Sequence, residues 1–173
     1  MTNSNLLDRV RSQNEKLPVI ERIARVIEAR LKNTEGIVGV VRPTRTGNFR
    51  PKDNQILLKQ GDDQRRPELD CPGNPPAIAN EMPFSVMLEL RPSDKDDTSI
   101  DTFKNTFRAR AITALTKPER EGDDWVTFNR LAVNSRIGNA TPYLDDAGEV
   151  AGIKLTIAVI YRHDENNPCN LRA

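Results

Sequence analysis

Only one histidine occurs in the 173 residues, His163, between Arg162 and Asp164. An imidazole can serve as a general base near neutral pH. At the end of a strand, between two charged neighbours, it reads instead as a surface histidine. Four adjacent aspartate pairs, Asp62-Asp63, Asp96-Asp97, Asp123-Asp124 and Asp145-Asp146, offer carboxylates for a metal or for acid–base work. All four fall in expected turns, where aspartate is favoured because its side chain bonds nearby backbone groups. Cys71 and Cys169 both lie among loop formers, in Asp70-Cys71-Pro72-Gly73 and Pro168-Cys169-Asn170. No CxxC is present and His163 has no partner at metal-ligand spacing. Two free thiols and a disulfide both stay open, since sequence does not give their separation. Trp125 and Tyr161, each on an expected strand, read as core or interface rather than as a base-stacking platform. GxSxG, HExxH and a phosphate-cradling glycine loop are absent. The expectation is a protein without catalytic residues, cofactor or metal site; an enzyme or small ligand-binding domain using His163 or the aspartate pairs is the alternative.

Charge narrows the partners. The chain has 26 basic and 25 acidic residues, a formal net charge of +1. That balance argues against wrapping nucleic acid over the whole surface. Locally, Arg42 to Arg66 carries seven basic and three acidic residues, while Arg91 to Asp101 leans acidic. Arg42, Arg45, Arg50 and Lys52 form a basic loop that reads either as solvated surface or as a partner-facing patch. The first 17 residues are too charged for the apolar region of a signal peptide, and no run approaches a membrane span. A soluble protein made in a cytoplasm, with no membrane partner, is expected.

The elements that would position these residues follow from periodicity. Length fits one domain over 1–173, with 1–17 as an N-terminal extension, 61–83 as a long proline-rich arm and 163–173 as a C-terminal tail. Leu6, Leu7, Val10 and Leu17 suggest a short helix. Pro18 then opens a stronger one, with Ile20, Ile23, Ile27 and Leu31 at helical spacing and Glu21, Arg22, Arg25, Glu28 and Arg30 on the opposite side. Ile37 to Arg42 and Gln55 to Gln60 read as strands, and so does Phe84 to Arg91, where apolar and polar residues alternate. Asp97, Thr98 or Ser99 caps a helix to about Thr116, with Ile100, Phe103, Phe107, Ala111 and Leu115 as its apolar stripe. Asp124 to Ser135, with a bulge near Asn129-Arg130, is expected to pair with Val150 to Arg162 as a long antiparallel hairpin through the turn Asp145 to Glu149. On the last strand Ile153, Leu155, Ile157, Val159 and Tyr161 share one face. The fold class is α+β: a mostly antiparallel or mixed sheet of about five strands, two main helices on one face, and a long irregular arm.

In this order the elements resemble a known family. The residues that carry the likeness are FSVMLELRPSD, the helix DTFKNTFRARAITAL, DWVTFNRLAVNS, the turn YLDDAGEVAG and the closing IKLTIAVIYRHDENNP, with CPGNPPAIANEMPF similar to sequences of phage neck and tail-completion proteins. Together, from about Leu17 to Pro168, they resemble the tail terminator (minor tail) proteins of long-tailed bacteriophages. The chain departs from shorter members in its N-terminal helix and in the Arg42 to Pro83 stretch. The resemblance implies a virion structural protein at the head–tail joint, assembled in the host cytoplasm. It implies a homo-oligomeric ring, usually a hexamer, that caps the tail tube protein and docks to the head-side connector, with no activity and no cofactor. Arg42, Arg45, Arg50 and Lys52 would then face an acidic partner ring or a channel through which DNA passes. A head-completion or neck adaptor is the alternative placement in the same joint.

Overall fold

The structure, a computed structural model, describes residues 16–43, 54–90, 99–117, 124–144, 148 and 150–172. Helix α1 spans Val19–Leu31. It starts where expected: Pro18 has no N–H to lose at a helix start, and its carbonyl accepts from Glu21 N at 2.9 Å and Arg22 N at 3.2 Å. Val19, Ile23, Ala24, Ile27 and Leu31 are fully buried. Strand β1, Gly39–Val41, and β2, Gln55–Gln60, pair in parallel. After the two-residue strand β3, Gln64–Arg65, comes a 3-10 turn, Pro67–Leu69. The long strand β4 covers Ala77–Glu89. Helix α2, Ile100–Thr116, is capped by Ser99, whose Oγ accepts from Thr102 N at 3.2 Å. Strands β5, Asn134–Leu144, β6, Val150–Asp164, and β7, Asn167–Leu171, complete the chain.

One seven-stranded mixed sheet results, in the order β1-β2-β4-β6-β5, with β3 beside β4 and β7 beside β6. Both helices pack on one face, against Ile56, Leu58, Phe84, Val86, Ile153, Leu155, Ile157 and Val159. The α+β class, the mixed sheet and the two helices therefore stand as expected; the two additional strands come from within the arm and the tail.

Three local expectations change. The partner of β6 is Asn134–Leu144, not Asp124 to Ser135. Residues 125–131 form turns instead, and Phe128, Asn129 and Arg130 all have positive φ, at 45°, 59° and 67°. That backbone has no place in a strand, so Asn129-Arg130 is not a bulge and Trp125 is not on a strand. The register shifts of β5 lie between Ile137 and Ala140 and between Tyr143 and Leu144. Strand β4 begins at Ala77, seven residues before Phe84, carrying Pro83 with it. The stretch 61–83 is thus partly sheet, fastened by ion pairs of Arg65 with Asp70 and of Arg66 with Glu81. In the tail, β6 continues to Asp164 and β7 folds back on it, His163 opposite Leu171. The expected helix before Leu17 falls mostly outside the described residues.

Candidate functional site

Register organises the sheet into two unlike ends. At one end, where β4 begins and β6 finishes, a buried polar row runs across the strands. Asn80 and Tyr161 are cross-strand partners, and His163 lies two residues further along β6. The Tyr161 hydroxyl donates to Asp63 Oδ2 at 2.8 Å. Asn80 Nδ2 is 3.2 Å from His163 Nε2, and His163 Nδ1 is 2.7 Å from the carbonyl oxygen of Asp164. Both ends of this row are acceptors only, a carboxylate and a carbonyl, so Tyr161 and His163 Nδ1 each donate outward. The Asn80 amide faces His163 Nε2. The Asn80 amide also bonds the Tyr161 oxygen, whose own hydrogen points to Asp63. Burial, reinforced by the neighbouring Asp63 carboxylate, pushes the Tyr161 phenol well above its ordinary range.

His163 is only 9% exposed, so the surface histidine expected from sequence is a buried one; β7 covers the position that looked like a free strand end. Both of its ring nitrogens are engaged in hydrogen bonds. The row ties the β2–β3 connection, through Asp63, to the end of β6. Beside it the Asp164 carboxylate, 3% exposed, accepts from Arg172 and from Asn170 Nδ2 at 2.8 Å. Those bonds, led by the Arg172 guanidinium, hold its carboxyl below the usual range.

The expected site residues are distributed as follows. Arg42 sits just after β1 and donates to both carboxylate oxygens of Glu21, at 2.8 and 2.7 Å. That fork–fork pair lowers the Glu21 carboxyl below its ordinary range and balances the charge of the arginine. Arg45, Arg50 and Lys52 lie outside the described residues, as do Asp96, Asp97, Asp123, Asp145 and Asp146. Arg65 and Arg66, from the same basic stretch, are engaged with Asp70 and Glu81. Asp124 serves its own turn, accepting from Val126 N at 2.8 Å and Thr127 Oγ1 at 2.6 Å. Cys71 and Cys169 are free thiols. Among the described residues no group of three or more His, Cys, Asp or Glu side chains is placed to hold a metal ion.

At the other end of the sheet the row Val40–Ile56–Leu88–Ile153–Pro142 crosses all five strands of the main path. It has no polar side chain. Beyond it, at the two opposite edges, are Val38, 74% exposed, and Leu144, 60% exposed, the only large exposed hydrophobics among the described residues. A cavity of about 250 Å³ opens near the β1 edge, lined by Ile37, Leu88, Phe103 and Phe107 and by Thr34, whose buried Oγ1 has no hydrogen-bond partner among the described residues.

Sequence reasoning missed Arg30, placed there on the polar side of α1. It is 2% exposed, donates to Leu115 O at 2.9 Å and to Asn129 Oδ1 at 3.1 Å, and its guanidinium lies 5.6 Å from the Phe128 ring centre. A signal existed: residue 30 is three past Ile27, on the apolar stripe itself. Asn80 was equally legible, alternating with Met82 and Phe84 on the helix-covered face. No protein-family model and no curated protein sequence matches the chain.

Proposed function

We propose that the chain is a structural subunit of the head–tail joint of a long-tailed bacteriophage, a tail terminator whose copies form a ring, a hexamer in the family it resembles, on the tail tube and meet the head-side connector. The observation that carries this reading is the pair of sheet edges that no other described strand covers. Among the described residues, strand β1 pairs only with β2 and β5 only with β6, on opposite sides of one sheet whose helices occupy a single face. Such a subunit offers two different surfaces to its neighbours, as a head-to-tail ring requires. The polar row supports a structural role as well, since its groups are consumed in holding segments together.

The reading is tested in particles. Mass spectrometry of purified virions should find the chain, and a gold label on it should fall at the head-proximal end of the tail tube. Genomes lacking its gene should yield heads and tails that do not join. Absence from virions sinks the proposal, whereas a label on the head connector moves the chain to the neck adaptor role.

A further inference from the structure

We infer that β5 of one copy pairs antiparallel with β1 of the next, bringing Leu144 against Val38. This rests on the ring reading and names its contact. The directions follow from the ladder. Strand β1 is parallel to β2, β2 antiparallel to β4, β4 to β6 and β6 to β5. The two edge strands therefore run in opposite directions. Placing copies side by side without inverting them sets β5 beside the next β1 in antiparallel orientation, the more stable pairing.

The level matches too. Val40 and Pro142 belong to one cross-sheet row, and Val38 and Leu144 each lie two residues beyond it on the same side. Side-by-side copies that share this row put the two exposed hydrophobics near each other with no shift along the strands. A contact without such a shift generates a rotation without a rise, the condition for a closed ring rather than a filament. Neither stretch brings a charge to the contact: Val38–Val41 and Ala140–Leu144 are uncharged. The ladder is short, since β1 has three residues and Pro142 offers no N–H. Free copies are accordingly held weakly, and the tail tube gathers them.

The test uses the full chain with Cys71→Ser and Cys169→Ser as background. Carrying both Val38→Cys and Leu144→Cys, it should on mild oxidation give a ladder of covalent oligomers, in solution or, where the free chain is monomeric, in assembled tails. Mixing the Val38→Cys chain with the Leu144→Cys chain should give a mixed dimer and nothing larger. Dimers formed within either single variant, or monomer alone in both settings, overturn the contact. Should the serine background fail to fold, Val38→Asp and Leu144→Asp in the native chain replace it: each should keep the wild-type melt and lose incorporation into tails, and retained incorporation overturns the contact. Failure of the cross-link with the chain still found at the tail end removes the contact alone. A ladder from a chain absent from virions keeps the contact and removes the terminator reading.

Discussion

Arg30 brings a permanent charge into the core between α1, α2 and the turn at 125–131, where two acceptors and an aromatic face receive it. One of those acceptors is the carbonyl of Leu115 in the last turn of α2, where the helix dipole favours a cation. Arg30→Ala leaves the buried Leu115 carbonyl without its partner and also removes the bond to Asn129 and the contact with the Phe128 ring, and urea denaturation should register a loss of about 2–4 kcal/mol. Arg30→Lys should recover only part of it, because an ammonium does not span two acceptors as a guanidinium fork does. The Arg42–Glu21 pair behaves differently. Its carboxyl pKa is lowered in the folded state, so its stabilisation is present above the ordinary carboxylate range and is lost as pH falls through the folded value. Both partners are partly exposed, so Arg42→Ala should cost under about 1 kcal/mol at neutral pH. The gap between wild type and variant, followed by thermal melts, should close on acidification. At this scale sequence is a poor guide, because the two acceptors of Arg30 lie 85 and 99 residues away in the chain and Asn80 meets His163 across 83.

Elements were legible where periodicity was strong and misleading where it was accidental. The inward residues of β6, from Ile153 to Tyr161, are all buried, and Ile157 is wholly so. Ile157→Asp should abolish the cooperative melt by burying an unpaired charge. Phe103, on the expected apolar stripe of α2, lies half-buried on the wall of the cavity. Phe103→Asp should therefore weaken the fold by about 1–3 kcal/mol without destroying it. In the Asp124 to Ser135 segment, alternation of Val126, Phe128, Leu131 and Val133 imitated a strand. The real strand, NSRIGNATPYL, contains Gly138, Asn139 and Pro142, which propensity disfavours but an edge position and its bulges accommodate. The three consecutive left-handed residues give a direct check. Arg130 is exposed, and its φ of 67° suits glycine. Arg130→Gly should leave stability unchanged or raise it by up to about 1 kcal/mol, against the usual cost of glycine, when measured by urea denaturation.

For the molecule as a whole, composition and element order were enough for the α+β class and the one-sided helices. Topology was not, since the parallel β1–β2 pairing and the identity of the two edge strands depend on which strands meet across long stretches of chain. The ladder between β4 and β6 has a mechanical consequence. Thirteen residue pairs, from Ala77 with Asp164 to Glu89 with Gly152, join these strands, and the bonds between them run perpendicular to the chain. A pull along the strands from opposite ends loads the rungs together, whereas a pull on both strands at one end opens them singly. Force applied through handles at Pro76 and Ala151 should therefore meet a higher rupture threshold than force applied at Pro76 and Glu165. A subunit standing with its strands along the line of load would resist tension in its strong direction and peel apart in its weak one.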